Sequence, residues 1–258
     1  MRYEDRTVIV TGGSQGIGEG CARAFAQAGA SVWIASPDEA RGEVVARELG
    51  ALGAGRGRFM RCDVTRQEDR AGLVDLAAST DGRLDCLVNN AGWHPPHYPI
   101  DGFSLDDFRS LLELNVISVF ALCQLALPHL RATRGSIVNI ASLVATIGQH
   151  HATTYVATKG AVLSFTKALA IDEAVHGVRV NSISPGNIFT PLWQQAIDAS
   201  SDPAATRAAG EAAQVMGRMG TPAEAGRLAL FLAADASFTT GVDHILSGGA
   251  EIGYGRKA

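Results

Sequence analysis

Tyr155 and Lys159 stand four residues apart in a helix-like stretch over 152–174, so their side chains lie about one turn apart on a shared face. A phenol beside an ammonium is a proton-transfer pair, because the cation favours the phenolate. Lowering a phenol pKa of about 10 by roughly 2–3 needs about 3–4 kcal/mol of differential stabilisation. A close ammonium joined by a second positive charge in a partly dry site can supply it. Ser142 follows an apolar run over 136–141, where its hydroxyl could hold an oxygen whose charge changes during reaction. A Tyr–Lys pair at this spacing also arises on ordinary helices, with the lysine stem lying over the ring. What surrounds the pair therefore decides its meaning.

The first surrounding feature is a turn. The strand-like run Val8, Ile9, Val10, Thr11 leads into Gly12, Gly13, Ser14, Gln15, Gly16, Ile17 and Gly18, and then into a helix-like stretch. Glycines there permit positive φ, let the backbone approach a pyrophosphate, and bring the helix close to the strand. N–H groups at the helix start would face phosphates. No Lys-Ser or Lys-Thr closes the turn, which disfavours a nucleoside-triphosphate loop. The spacing G-x-x-x-G-x-G differs from the common dinucleotide pattern, and such turns also serve only to tighten a corner; position after the first strand favours the dinucleotide.

The elements that must carry these groups alternate. Strand-like runs cover 7–11, 31–35, 58–62, 85–89, 136–141, 178–184 and 242–246. Being nearly continuously apolar, they predict burial on both faces and a parallel sheet. Amphipathic stretches over 17–28, 39–49, 69–78, 105–130, 152–174 and 222–234 separate them. The alternation predicts an α/β fold: one Rossmann-like, doubly wound domain of about seven parallel strands flanked by helices. Residues 185–220 read as one long irregular region, expected to act as a binding segment, with a substrate lid at about 187–220. Asn89, Asn90, Ala91 and Gly92, after the fourth strand, fall where the crevice of such a sheet lies.

The tip of the second strand sets the ribose contacts. There, Ser36, Pro37, Asp38 and Glu39 read equally as a helix start, with Ser36 as N-cap, Pro37 at the first helical position and Glu39 closing a capping box. Functionally, Ser36 would neither repel nor grip a 2′-phosphate, and Arg41 is the nearby cation. Asp63, after the third strand, is a candidate adenine contact. The reading leans to NAD and leaves NADP open.

Bulk properties narrow the classes. Of 258 residues 47% are hydrophobic, ample for a core, and the formal net charge of −4 gives no electrostatic case for nucleic acid or an anionic membrane. Cys21, Cys62, Cys86 and Cys123 are scattered without metal-ligand spacing, which suits buried thiols in a reducing compartment. The charged N-terminus runs directly into a strand, leaving no room for a signal peptide, and no apolar run is expected to span a bilayer. A soluble cytoplasmic protein is expected.

Taken together, the glycine turn 11–18, Asn89 to Gly92, Asn115, Ser142, Tyr155-Val156-Ala157-Thr158-Lys159 and Pro185-Gly186 resemble the short-chain dehydrogenase/reductase family over essentially the whole chain. The resemblance implies hydride exchange between an alcohol and a nicotinamide dinucleotide, with Asn115, Ser142, Tyr155 and Lys159 as the catalytic set. Asn115 would anchor a water that relays protons to Lys159, and Lys159 would also hold the nicotinamide ribose. Cofactor contacts are implied for Gly12, Ser14, Gln15, Gly16, Ile17, Gly18, Ser36, Asp63, Val64, Asn90, Ala91, Gly92, Tyr155, Lys159, Pro185, Gly186, Ile188 and Thr190. A homotetramer is likewise implied. Further segments, among them 92–96, 147–149, 184–188 and 248–255, resemble a sugar- or steroid-oxidising branch of that family, which implies NAD although Ser36 replaces its Asp.

Substrate contacts are expected from His94, Ser142, Gln149, Tyr155, Trp193 and Tyr254. His94 and Gln149 read as well as loop residues, Trp193 as apolar packing, and Tyr254 as part of a subunit interface. His150 and His151 read as exposed loop residues without the carboxylate partners of a metal site. Several polar groups that need partners suit a sugar such as L-fucose or a related aldose better than a hydrocarbon sterane. A steroid or other hydrophobic secondary alcohol is the alternative. A non-catalytic dinucleotide-sensing regulator predicts loss of Tyr155, Lys159 or Ser142, and an oligomerisation module has no need of Gly12, Gly16 and Gly18; all six are present.

Overall fold

The computed structural model describes residues 2–52 and 55–253. Strands β1 (Thr7–Thr11), β2 (Ser31–Ser36), β3 (Arg56–Arg61), β4 (Cys86–Asn89), β5 (Ser136–Ile140), β6 (Arg179–Pro185) and β7 (Asp243–Leu246) form one sheet. Their order is β3-β2-β1-β4-β5-β6-β7, and every pairing is parallel. The chain winds outward from β1 to β3, then returns to build the other half from β4. That reversal opens a crevice beyond the C-terminal ends of β1 and β4.

Strands β1 to β6 feed two cores because successive side chains point to opposite faces. Val8, Val10, Val32 and Ile34 enter one core, with Phe25 of α1 (Gly16–Gln27), Val45 of α2 (Glu39–Gly50) and Leu230 of α10 (Pro222–Ala234). Ile9, Trp33 and Ala35 enter the other. They meet Leu73 of α3 (Gln67–Asp81), Leu122 of α5 (Ser118–Thr133) and Ala170 of α7 (Thr153–Glu173). The continuous apolar strands of the sequence are continuous for this reason.

Four sequence expectations are corrected. The helix expected over 105–130 is α4 (Leu105–Leu112), a π-helical segment Glu113–Ile117, and α5. Hydrophobic periodicity does not register a widening of one residue, so the break passes unseen. Second, Leu105–Thr133 is long and apolar enough to cross a membrane by length and composition, although no such run was expected. Here it packs as a core helix, with Leu122, Cys123, Ala126 and Leu130 buried.

Third, residues 185–220 are not irregular: α8 (Pro191–Asp198) and α9 (Pro203–Ala212) occupy most of them. Thr190 and Asp202 cap these helices by accepting from Trp193 and Ala205 N–H, each with proline at the first helical position. Fourth, Ser36 ends β2 instead of capping α2. Asp38 is the N-cap, accepting from Arg41 N–H at 3.0 Å. Glu39 is then the first helical residue and lies too early to close a capping box.

Candidate active site

The glycine turn lies at the crevice. Gly16 has φ +56°, and a Cβ on Gly18 would sit 2.3 Å from Gly12 O and 2.4 Å from Asn90 Nδ2, so no other residue fits there. Asn90 Nδ2 donates to Thr11 O at 2.9 Å and to Gly12 O at 3.2 Å, tying the end of β4 to the turn. The N-terminus of α1 has Gln15 as N-cap without a side-chain cap, leaving its first N–H groups for an anion. These features fit a dinucleotide pyrophosphate.

Around the turn, Ser14 donates its hydroxyl to Ser36 Oγ at 2.9 Å, and Ser36 Oγ also accepts from Asp38 N–H. Arg41 crosses the same edge, donating to Ser14 O at 3.2 Å and to Glu19 at 3.0 Å. Asp63 is exposed, and its carboxylate accepts two hydrogen bonds from Thr65, which hold its pKa below the usual range. Val64 is buried beside it. Across the crevice, Gly186 N–H donates to Leu246 O, Ile188 bridges to Gly220, and Thr190 faces the Gly16 turn. The turn, Ser36, Asn90 to Gly92 and Thr190 thus border one cleft.

The chemical groups gather at the next strand end. Ser142 follows β5, just before the short α6 (Val144–Ile147), and is buried; Tyr155, on α7, is half-buried and hydrogen-bonded to Ser142. Lys159 is buried one turn on, with Nζ 5.9 Å from the Tyr155 ring centroid and donating to Ile140 O at 2.8 Å. Burial pushes the Tyr155 phenol up to about 12, outweighing the hydrogen bond from Ser142. It pulls the Lys159 ammonium down to about 8. The lowering of the phenol by Lys159 expected from sequence is therefore not delivered by this pair: the ammonium is turned to the Ile140 carbonyl, and desolvation wins.

Asn115 sits within the π-helical segment, almost fully buried. Its Oδ1 accepts from Trp93 N–H at 2.9 Å, while Nδ2 donates to Trp93 O at 3.0 Å and Thr158 Oγ1 at 3.1 Å. A polar residue in a Leu-rich helix proves to be the tie between that helix, α7 and the segment after β4.

His94 joins this cluster. Its ring lies 4.1 Å, centroid to centroid, from that of Tyr155. Nδ1 is 2.6 Å from Pro95 O, which can only accept, so Nδ1 carries a proton; Nε2 lies 2.9 Å from the side-chain amide of Gln149. His94, Gln149, Ser142 and Tyr155 are thus brought together. Trp193 instead packs its ring against Gly210 of α9, where an added Cβ would lie 3.0 Å away. His150 is exposed and stacks on His151. Tyr254 lies outside the described residues.

A family model described as enoyl-(acyl carrier protein) reductase matches residues 12–251. A solved short-chain type dehydrogenase/reductase from Mycobacterium marinum is 33% identical, with TM-score 0.87 and 97% of each chain covered. The chain belongs to the short-chain dehydrogenase/reductase family. Among the relatives of this short-chain dehydrogenase/reductase, an L-fucose dehydrogenase from Bos taurus is 55% identical over 100% of this chain and 93% of its own. The structure of an NAD+-bound xylitol dehydrogenase superposes with TM-score 0.90 at 28% identity, covering 96% of this chain and 100% of that one.

Two positioning residues of this dehydrogenase/reductase escaped the sequence reading. Thr11 accepts from the N–H groups of Asn90 and Ala91, both at 3.0 Å. Thr158 takes the Asn115 amide and donates to Tyr155 O at 2.8 Å. The only sequence signal for Thr158 is its place beside Lys159 on the Tyr155 helix.

Proposed function

We propose that this protein oxidises a hydroxyl of a sugar of the L-fucose type with NAD, and that Tyr155 takes the hydroxyl proton. The reading is carried by the convergence of Ser142, Tyr155, His94 and Gln149 at one strand end, together with the 55% identity to an L-fucose dehydrogenase. Bound in the cradle, the oxidised dinucleotide supplies the hydride acceptor and a positive charge. Ser142 holds the reacting oxygen, and the proton passes to the Tyr155 phenolate as the carbon gives up its hydride. Lys159, turned to the Ile140 carbonyl, offers the ribose a donor. Asn115, with its side chain engaged by Trp93 and Thr158, holds the two walls in register. His94 and Gln149 offer the sugar hydroxyls partners beside the reacting centre. Residues 187–220, with α8 and α9, act as the lid.

The deciding experiment is the initial rate of reduced-nicotinamide formation, with NAD and NADP each tested against L-fucose, related aldoses and estradiol. Turnover of L-fucose or a related aldose is the expected result. Turnover of estradiol alone would replace the sugar with a hydrophobic secondary alcohol. At the ribose edge, Ser36→Asp places a carboxylate where a 2′-phosphate would lie. The NAD/NADP ratio of kcat/KM is expected to rise at least about fivefold, since even one like-charge contact costs about 1 kcal/mol or more. An unchanged ratio would place Ser36 away from the ribose.

The reading extends to a homo-oligomer in the cytoplasm. All four cysteines are free and buried, their thiols pushed up to about 12, as suits a reducing compartment. Ile117 and Phe120 are half exposed at an apolar groove shared with Val162 and Phe165 of α7, a face suited to a second copy. Phe120→Asp is expected to halve or quarter the particle mass in light scattering without unfolding the protomer; an unchanged mass would move the interface elsewhere.

A further inference from the structure

A second cavity, of about 340 Å³, lies at the opposite edge of the sheet, beneath the N-terminal ends of β1, β5 and β6. Arg6, Arg134 and Arg179 line it, with Tyr3 and the hydroxyls of Ser237 and Thr240, and none of its described lining residues is acidic. Three guanidinium groups at one concavity repel one another unless an anion joins them.

The buried carboxylates Asp85 and Glu173, beside the lining residues Tyr3 and Ala174, are already matched. Asp85 is bound by Arg83 through two bonds of 2.7 Å, and Glu173 by Arg131 through bonds of 2.8 and 2.6 Å. Among the described residues, no ion pair involves Arg6, Arg134 or Arg179. The three side chains are nonetheless held in place. Arg6 lies over the Tyr3 ring at 5.0 Å, and the Arg134 stem packs on Gly177. Arg179 donates to carbonyls of Leu232, Ala233 and Ala236 at the end of α10. Thr240 Oγ1 accepts from Val180 N–H, which leaves its O–H to donate, and the Ser237 hydroxyl has no partner among the described residues.

We propose that this cavity is a binding site for a phosphate dianion, free or carried on a small molecule. Arg6 and Arg134 provide the gripping guanidinium groups, Arg179 a fixed charge behind them, and Ser237 and Thr240 donors at the rim. Guanidinium forks match the planar edge of a phosphate, and the volume admits a phosphate with a small body attached.

The test is thermal unfolding of the full chain in saturating NAD, which keeps the glycine turn occupied and reports that occupancy by its own shift. Inorganic phosphate and glycerol phosphate are titrated against chloride at matched ionic strength. A saturable rise of a few degrees at millimolar phosphate is expected, larger with glycerol phosphate if the body of the ligand also binds. Arg134 has φ +52°, a conformation that glycine adopts without strain. Arg134→Gly therefore removes the guanidinium from a chain expected to fold at least as well, and should weaken phosphate binding about tenfold or more; Arg6→Ala should do the same. Equal shifts in phosphate and chloride, or a phosphate shift unchanged in Arg134→Gly, would overturn the proposal.

Discussion

Tyr155→Phe is expected to lower kcat by about 10³-fold while leaving cofactor affinity within a factor of about two, since a positioned acid–base group contributes roughly 10²–10⁴-fold. The substitution is nearly isosteric. Phenylalanine keeps the ring that packs 4.1 Å from His94 and loses only the hydroxyl bonded to Ser142. Only that one hydrogen bond is removed, at a half-buried position, so a loss of activity is not a loss of fold. Steady-state turnover and fluorescence titration of the reduced cofactor check the two halves separately. A kcat within about tenfold of the parent would show that the proton leaves by another route.

Lys159→Met is expected to abolish turnover and at the same time stabilise the cofactor-free protein. The lysine is buried, and its pKa falls from 10.5 to about 8 on folding. A tenfold change in a protonation equilibrium corresponds to about 1.4 kcal/mol, which makes the cost of burying the charge about 3 kcal/mol below pH 8. Loss of the bond to Ile140 O offsets about 1 kcal/mol, leaving a net gain of about 2 kcal/mol in the variant. The sign of the pH dependence follows from the direction in which burial moves the ammonium. Between the folded value near 8 and the ordinary value near 10.5 the unfolded chain binds more protons, so this group makes the parent more stable as pH rises through that window. The penalty is full below it and absent above it. Denaturant melts of both proteins at about pH 7 and about pH 10.5 should therefore show a gap that closes at the higher pH. A variant less stable than the parent at neutral pH would mean that the ammonium is better solvated or paired than its surroundings indicate.

The two effects share a cause. Burial favours the neutral form of both Tyr155 and Lys159, so the cluster alone keeps its phenol protonated. Positive charge brought into the cleft with the cofactor is what the phenolate needs. Proton transfer and cofactor binding are thereby linked through electrostatics.

Much of the fold was legible in the chain. The seven strand-like runs became the seven strands, with bounds shifted by at most two residues, because the five inner strands, buried on both faces, leave few polar interruptions. The glycine turn was legible because positive φ and close backbone approach restrict residue choice. The lid helices α8 and α9 were missed, although Thr190-Pro191 and Asp202-Pro203 carry good start signals. Both helices are short, and only Ile197 of α8 and Gly210 of α9 are buried, so neither shows a clear apolar face.

Sequence by itself determined the class of sheet, the glycine turn, and the four-residue spacing that puts Tyr155 and Lys159 on one helical face. These are local matters of periodicity, sterics and helical geometry. Tertiary structure alone decided the rest. It brought Asn115 to Trp93 and Thr158 through a π-helical turn, set His94 against Tyr155 and Gln149, and turned Lys159 to the Ile140 carbonyl. Those pairings join residues up to 61 positions apart, His94 and Tyr155 being the widest. The pKa directions follow from the same packing, because desolvation depends on what lies around a group in space and not on its neighbours along the chain.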